Sequence, residues 1–328
     1  MVSVLERLPA LATTGVGSLP FDDPAVAVRH ATRAYGVPFC PQLPRSDGDM
    51  VREWLGPQWT QTPCGWTTER DRERPAAWDA FVEALQARPP EHRVVKLQAT
   101  GPVTLAVAME RAAGRSGVGR DVATLARELA GWLASSVAGQ TARLRELDLD
   151  VLLVVDEPGL AHASGDPRPT RPGAASAVDA RVWDPLRGAA SAWGLHVCSA
   201  VPWALVRAAE PDVLSFDATR YAVGGAGAVV LHELVARGGR IAWGALDPVR
   251  PDAEFDAAAR IGAAVGAVTA AGGDLETLIA RSLVTPSCGT GRLAPARERL
   301  VASVLDAAAA AVGATWRSWP RSGVRATG

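Results

Sequence analysis

Leu195-His196-Val197-Cys198 has the pattern of a β-strand end that carries two reactive side chains. Successive side chains of a strand point to opposite faces, so we expect His196 and Cys198 to project to the same side. A second thiol, Cys288, lies at the end of another apolar run, in Thr285-Pro286-Ser287-Cys288-Gly289. We therefore hypothesise that these three side chains, with one carboxylate, bind a zinc ion that activates a thiol substrate.

Short apolar runs alternate with longer amphipathic ones along the whole chain. Strands that alternate with helices indicate parallel pairing through right-handed crossovers, and eight such units predict a single (β/α)8 TIM barrel. The predicted strands are Thr13–Leu19, Val37–Leu43, Arg93–Ala99, Val151–Asp156, Leu195–Ala200, Val213–Ala218, Arg240–Ala245 and Leu283–Ser287. The main predicted helices are Asp23–Tyr35, Ala76–Ala87, Arg120–Leu147, Pro251–Ala271 and Pro295–Val312.

Polar and reactive residues lie at the C-terminal ends of nearly all these strands. In a barrel those ends converge on the face that carries the active site. A doubly wound open sheet also collects such residues, but only around its switch point, so their wide distribution favours a closed barrel. The residues are Ser18, Gln42, Thr100, Asp156, Glu157, His196, Cys198, Asp217, Asp247 and Cys288.

Composition narrows the classes of partner. The chain has 328 residues, a formal net charge of −1 and four cysteines. The nearly neutral net charge gives no electrostatic reason to expect nucleic acid or a membrane surface as partner. Four cysteines in a chain of this length do not make a disulfide framework. No signal peptide and no membrane-spanning run is evident, so we expect a cytoplasmic protein. We assign residues 1–315 to one barrel domain and 316–328 to a surface or disordered tail.

The zinc hypothesis has a structural alternative for each residue. Cys198 and Cys288 are equally consistent with small core residues, and His196 with a hydrogen-bonded histidine at a strand end. Asp217, at the end of the next strand, is a candidate fourth ligand or the N-cap of the following helix.

Two further stretches carry candidate substrate contacts. Asp156-Glu157 follows a buried apolar run, where two acids are costly unless they bind something or are well paired. They could orient a substrate ammonium group, or form ion pairs and open the next helix. Gly15-Val16-Gly17-Ser18 offers backbone N–H groups at the end of the first strand, but it does not complete a dinucleotide-binding pattern.

Several short sequences, in the same order along residues 13–290, together resemble the catalytic domain of the cobalamin-independent methionine synthase family. The chain is similar in length to the shorter, single-barrel relatives. The motifs that carry the resemblance are Thr14-Gly15-Val16-Gly17-Ser18-Leu19-Pro20, Asp49-Met50-Val51, Thr100-Gly101-Pro102-Val103-Thr104, Val155-Asp156-Glu157-Pro158, His196-Val197-Cys198 and Ser287-Cys288-Gly289.

The resemblance implies a (β/α)8 barrel with a catalytic Zn²⁺ bound by His196, Cys198 and Cys288, with Asp217 where the family has glutamate. It also implies that Val16, Gly17 and Ser18, together with Asp156, contact homocysteine. The chain departs from the family at other places. Gln42 stands near the family's substrate-binding glutamate, and the histidine of the seventh strand is missing, so Asp247 is the candidate polar group there.

The leading hypothesis is a zinc-dependent thiol methyltransferase of the methionine synthase type, which transfers a methyl group to homocysteine or a similar thiol. Asp156 and Asp247 are the candidate catalytic residues, and Val16, Gly17, Ser18, Gln42, Asp156 and Glu157 the candidate substrate contacts. The methyl donor is a methylfolate or a methylcorrinoid protein. The alternatives are a corrinoid-linked thiol methyltransferase of the same barrel superfamily, a non-catalytic barrel that binds zinc or a thiol, and a decarboxylase of the uroporphyrinogen type.

Overall fold

A computed structural model describes residues 3–62, 65–68, 74–113, 121–163, 178–251 and 254–318 of the chain. Its centre is a curled sheet of seven parallel strands in the order β1-β9-β8-β7-β6-β5-β4, beside a separate antiparallel hairpin, β2-β3. The strands are β1 (Ala12–Thr13), β2 (Trp59–Thr62), β3 (Gly65–Thr68), β4 (Val94–Thr100), β5 (Asp150–Asp156), β6 (Ala192–Val197), β7 (Val213–Asp217), β8 (Arg240–Leu246) and β9 (Ser282–Pro286).

Helices separate the strands of the main sheet and pack around it. They are α1 (Pro24–Arg33), α2 (Pro44–Asp47), α3 (Met50–Leu55), α4 (Trp78–Ala87), α5 (Pro102–Ala113), α6 (Val122–Arg145), α7 (Leu160–Ala163), α8 (Asp184–Arg187), α9 (Trp203–Ala209), α10 (Gly225–Ala236), α11 (Glu254–Ala270), α12 (Leu275–Ala280) and α13 (Pro295–Ser318). Short 3₁₀ helices cover Val4–Arg7 and Ala180–Trp183.

Sequence patterns explain why these elements form. β5 and β8 are largely apolar runs buried on both faces, as parallel strands covered by helices are. Helix α6 begins where the side chain of Asp121 accepts a hydrogen bond from the backbone N–H of Thr124 at 2.9 Å. It buries Leu125, Leu129 and Leu133, which recur every four residues on one face. Truncation of one of these leucines to alanine is expected to cost about 2–5 kcal/mol.

The prediction of eight regular strands is confirmed only in part, because the second predicted strand, Val37–Leu43, is not a regular strand. This segment nevertheless lies between β1 and β4. The backbone N–H of Val37 donates to the carbonyl of Thr13 at 2.9 Å, and Phe39 forms an isolated parallel bridge with Lys96 of β4. Pro38 and Pro41 have no backbone N–H, so a continuous ladder cannot form here. The structure therefore has a curled seven-stranded parallel sheet.

Three other expectations differ from the structure. The first strand is shorter than Thr13–Leu19, because regular pairing ends at Thr13. The Pro, Gly and Trp residues of Arg45–Glu73 predict a long loop with a short helix, and the structure has in addition the hairpin β2-β3 within this stretch. Trp316, assigned to the tail, belongs to α13 and packs against the core. Residues 319–328 lie outside the described residues, as does the whole of the Pro/Gly-rich stretch 164–175, which the sequence predicts to be a loop.

Helix α13 also bears on the expectation of a protein without membrane spans. Within the described ranges, only Pro295–Trp316 is long and apolar enough to cross a membrane by length and composition. Core helices of soluble proteins pass the same test, and α13 buries Val301, Leu305 and Ala308 against the rest of the fold.

Candidate active site

The register of the parallel strands brings the predicted site residues to one end of the sheet. Asp156, the last residue of β5, lies beside His196 of β6, and His196 lies beside Ser215 of β7. These three residues occupy the same layer of neighbouring strands, so their side chains share one face. Asp156 and His196 are both buried, with 5% and 3% of their surface exposed. The C-terminal end of the sheet therefore holds a buried group of titratable residues.

Cys198 and Cys288 lie in contact at this end, immediately beyond β6 and β9. Cys198 is half-buried and Cys288 is exposed, and the thiol of Cys198 donates a hydrogen bond to the sulfur of Cys288. This hydrogen bond lowers the pKa of Cys288 to about 7 and raises that of Cys198. Of the predicted metal ligands, these two are the pair that the structure brings into direct contact.

His196 is hydrogen-bonded on only one side of its ring. Its Nδ1 lies 2.8 Å from Oγ of Ser215, and its Nε2 is buried with no hydrogen-bond partner among the described residues. Burial lowers the pKa of His196 to about 3, and the positive charge of Lys96 contributes in the same direction, so the ring is neutral at pH 7. A neutral imidazole with one nitrogen held by a neighbour and the other unused is the form that binds metals.

Asp217 is buried at the end of β7, and its carboxylate closes a turn. Oδ1 accepts hydrogen bonds from the backbone N–H groups of Thr219 and Arg220 and from the hydroxyl of Thr219. This is an Asx turn and not a helix N-cap, because α10 begins only at Gly225. The carboxylate also interacts electrostatically with Cys288, so Asp217 lies close enough to influence the thiol pair.

The side chains of this group are of the types that bind zinc, but they are not close enough together to bind one ion. Two thiols in contact and a buried imidazole with an unused nitrogen are the ligands that zinc prefers. Within the described ranges, however, no three His, Cys, Asp or Glu side chains lie close enough together to bind a metal ion. Binding of zinc by His196, Cys198 and Cys288 would therefore require a local rearrangement of their side chains.

Asp156 faces this group with an unused carboxylate oxygen. Its Oδ1 is buried and has no hydrogen-bond partner among the described residues. Burial raises the pKa of Asp156 to about 7, which the charge of Lys96 opposes and the proximity of Cys288 reinforces. A buried, unpaired carboxylate is costly, and a substrate ammonium group would compensate it.

The segment Gly15–Ser18 supplies unused donors at the same end of the sheet. None of its four consecutive backbone N–H groups has an acceptor among the residues that the structure describes. Gly291 donates a hydrogen bond from its backbone N–H to Oγ of Ser18 at 3.3 Å, and a Cβ on Gly289 would lie only 2.1 Å from that oxygen. The loop that carries Cys288 therefore packs directly on the segment with the free donors.

Glu157, the second acid of the Asp156-Glu157 pair, has all of its hydrogen-bonding capacity used by the protein. Its carboxylate accepts hydrogen bonds from the backbone N–H groups of Val103 and Thr104, from the hydroxyl of Thr104, and from Nε1 of Trp183. Val103 and Thr104 lie in the first turn of α5, so Glu157 caps this helix. The structure places Glu157 as a helix cap, although the sequence predicts a substrate contact.

The remaining predicted residues lie at the same end but are engaged elsewhere. Gln42 is buried, and its Nε2 donates to Oε2 of Glu53 in α3. Oδ1 of Asp247 accepts from the backbone N–H of Val249 in the turn after β8.

Sequence reasoning missed Glu53 and Lys96, a buried lysine on β4. Lys96 is a charged residue between the apolar residues Val95 and Leu97, and that pattern is the signal that could have identified it. Glu53 directly follows Arg52, so the sequence carries no such signal for it.

Comparisons with known proteins identify relatives of the fold. No model of a known protein family matches the sequence, and no curated protein matches it. The structure is similar to that of a B12-independent methionine synthase from Shewanella sp. W3-18-1 in complex with selenomethionine, with a TM-score of 0.61 and 13% identity over 93% of this chain and 98% of that one.

It is also similar to a methyltransferase from Methanosarcina mazei, with a TM-score of 0.53 and 12% identity over 92% of this chain and 96% of that one. The resemblance to the methionine synthase family is thus confirmed at the level of the fold.

Proposed function

We propose that this protein is a zinc-dependent methyltransferase that transfers a methyl group to the thiol of an amino acid such as homocysteine. The observation that carries the proposal is the position of the Cys198–Cys288 thiol pair. Cys288 lies close enough to Asp156 to raise the pKa of that carboxyl, and its loop packs on Gly15–Ser18. Among the described residues, Oδ1 of Asp156 and the backbone N–H groups of Gly15–Ser18 have no hydrogen-bond partner. An α-amino acid with a thiol side chain has a matching charge pattern, with an ammonium group, a carboxylate and a sulfur.

Each part of the substrate has a complementary group in the protein. The substrate carboxylate would accept hydrogen bonds from the backbone amides of Gly15–Ser18. These amides lie beside the buried ammonium group of Lys96. The substrate ammonium would pair with Asp156. The similarity to a methionine synthase bound to selenomethionine, an analogue of a methylated amino-acid product, supports the same class of substrate.

His196, Cys198 and Cys288 would hold the zinc ion, with Asp217 as a fourth ligand or as a charged neighbour. Bound zinc supplies Lewis acidity that favours the thiolate form of a substrate thiol, which otherwise has a pKa of about 8.5. Ser215 fixes the orientation of the His196 ring through Nδ1, so that Nε2 is the nitrogen left for the metal.

Methyl transfer would follow from these positions. The substrate thiol would lose its proton to solvent water and its sulfur would form a bond to the methyl carbon. The bond between that carbon and the donor would break at the same time, with the leaving group retaining the electron pair. Asp156 and the Gly15–Ser18 amides would fix the amino acid so that its sulfur meets the donor in line. Asp247, at the end of β8, is the candidate polar group on the donor side.

We also propose that the fold is a closed eight-stranded barrel that forms a single domain. Val37–Leu43 would complete the barrel as an irregular eighth strand, since it hydrogen-bonds to both β1 and Lys96 of β4. Residues 1–315 would form one catalytic domain in the cytoplasm, where the thiols remain reduced.

Two measurements on the purified protein test the function. The first is zinc content, where we expect about one zinc per chain in the wild type and a loss in Cys288→Ser. Cys40→Ala is the matched control, because Cys40 is a core residue away from the thiol pair. The second is formation of the thioether from homocysteine with methyltetrahydrofolate or methylcobalamin as donor. A wild-type protein that binds no zinc, or a zinc-loaded protein inactive with both donors, would contradict the proposal.

A further inference from the structure

Lys96 is the single lysine of the chain. The sequence has 34 basic residues, of which 33 are arginines. Lys96 lies in the middle of β4 with only 4% of its surface exposed. In a chain that uses arginine almost everywhere, a lysine at this buried position suggests that its compact ammonium group is required there.

The ammonium group of Lys96 is held by three acceptors. Nζ donates hydrogen bonds to the carbonyl oxygens of Gly15 at 3.0 Å and Val16 at 2.6 Å, and to Oε1 of Gln98 at 2.9 Å. All three of its protons are therefore used. A planar guanidinium is larger and projects its donors as a fork, so arginine would not direct three donors to these three points.

These hydrogen bonds fix the direction of the neighbouring backbone donors. Every described peptide bond is trans, and in a trans peptide the C=O and N–H groups point in opposite directions. The carbonyls of Gly15 and Val16 point towards Lys96, so the N–H groups of Val16 and Gly17 point away from it. These are two of the amides that have no acceptor among the described residues.

Lys96 also acts on the opposite end of the proposed substrate site. Its positive charge opposes the effect of burial on Asp156 and so favours the ionised carboxylate. One buried ammonium group therefore supports two features at once, the outward-pointing amides and the negative charge.

We propose that Lys96 is a positioning residue that holds the Gly15–Ser18 amides in place for the carboxylate of an amino-acid substrate. It does not touch the substrate itself, since all of its donors are used within the protein. This inference rests on the proposed function for the identity of the substrate, but the geometry of the segment can be tested without any substrate.

The chain offers a matched control at the other end of the same sheet. Arg240, the first residue of β8, is 3% exposed and donates hydrogen bonds to the backbone carbonyls of Leu5, Leu8 and Pro9. It is also a buried cation that holds a loop through three carbonyls, but that loop lies at the N-terminal ends of the strands. Arg240→Met should destabilise the protein in a similar way to Lys96→Met without any effect on the substrate site.

The first experiment compares amide NMR signals of the substrate-free wild type, Lys96→Met and Arg240→Met. We expect the signals of Val16 and Gly17 to shift in Lys96→Met and to stay in place in Arg240→Met. If they do not move in Lys96→Met, the inference is wrong whatever the substrate is. If Lys96→Met does not fold, ¹⁵N-labelled lysine in the wild type gives one Nζ signal, which should show slow proton exchange; rapid exchange would overturn the inference.

The second experiment measures homocysteine kinetics and zinc content in the same three proteins. For Lys96→Met we expect a KM at least tenfold higher, a kcat within about threefold of the wild type, and unchanged zinc; Arg240→Met should keep the wild-type KM. An equal rise of KM in both variants, or none in Lys96→Met, would overturn the inference. If the wild type is inactive, it is the proposed function that fails, and the NMR comparison still decides the role of Lys96.

Discussion

The thiol of Cys198 donates a hydrogen bond to the sulfur of Cys288, although ninety residues separate them in the sequence. Cys198 follows β6 and Cys288 follows β9, so the curl of the sheet brings these two strand ends together. The two thiols differ in environment, since Cys288 is exposed and Cys198 is half-buried. The pair is therefore asymmetric, and one of its members should be the more reactive.

Of the three cysteines that the structure describes, we expect Cys288 to be the first that iodoacetamide alkylates in the metal-free protein. The hydrogen bond from Cys198 lowers the pKa of Cys288 to about 7, so its thiolate population rises as the pH increases through this value. Peptide mapping by mass spectrometry identifies the site, and the rate should increase with a midpoint near pH 7. In Cys198→Ala the midpoint should move towards the ordinary value of about 8.5. Initial labelling at buried Cys40 would contradict the prediction.

Asp156→Asn should make the metal-free protein more stable at pH 8 while it weakens substrate binding. Burial raises the pKa of Asp156 from 3.8 to about 7, so between these values the native state binds more protons than the unfolded state does. The free energy of unfolding contributed by this residue therefore falls as the pH rises from about 4 to 7. Asparagine has no charge to bury, so the variant avoids this cost. It also loses the attraction between the carboxylate and Lys96.

We expect the variant to gain about 1–3 kcal/mol over the wild type in urea unfolding at pH 8, and little at pH 4. Its KM for homocysteine should rise at least tenfold, because the counter-charge for the ammonium group is gone. If the difference in unfolding free energy between Asp156→Asn and the wild type does not change with pH, the buried charge of Asp156 does not lower the stability.

The sequence predicted most of the fold because burial on both faces gives parallel strands long apolar runs. The runs that contain β5, β8 and β9 are examples, and each ends within two residues of its predicted boundary. The irregular segment Val37–Leu43 was harder to predict, because Pro38 and Pro41 interrupt its pairing while its side chains keep the apolar pattern of a strand.

The site was predicted less completely, and the reason is geometric. Strand periodicity places His196, Cys198 and Cys288 at one end of the sheet, but it cannot give the distances among side chains on different strands. Adjacent residues also serve different purposes: Asp156 faces the site, whereas Glu157 caps α5. Glu157 accepts its hydrogen bond from Thr104 of α5, which is 53 residues away in the sequence, so no local pattern reveals the cap.

Glu157→Gln should therefore destabilise the protein and leave substrate binding unchanged. The carboxylate accepts four hydrogen bonds, and an amide would oppose N–H donors with its own NH₂ group. We expect a loss of about 2–4 kcal/mol in the free energy of unfolding, with the KM for homocysteine within twofold of the wild type. A large rise of KM at unchanged stability would instead identify Glu157 as a substrate contact.

Gly289→Ala should separate the Cys288 loop from the Gly15–Ser18 segment. A Cβ at this position would lie 2.1 Å from Oγ of Ser18, so one of the two loops must move. We expect activity to fall at least tenfold, with a loss of about 1–3 kcal/mol in stability. Gly262→Ala in α11 is the control, because its Cβ would meet nothing within 4 Å, and we expect it to gain about 0.5–1 kcal/mol. Full activity in Gly289→Ala would contradict the close packing of the two loops.

Asp217 has two candidate roles, and a pair of substitutions separates them. Asparagine keeps the oxygen that accepts hydrogen bonds from Thr219 and Arg220, so Asp217→Asn should preserve the turn and remove only the negative charge beside Cys288. Asp217→Ala removes both, and should cost about 1 kcal/mol in addition. If the charge serves the metal, both variants should bind zinc about 10–100-fold more weakly in chelator competition. If Asp217 serves only the turn, Asp217→Asn should bind zinc as the wild type does, and Asp217→Ala alone should be affected. Because Asp217 is buried, with 3% of its surface exposed, and its charge acts on Cys288, we expect the first result.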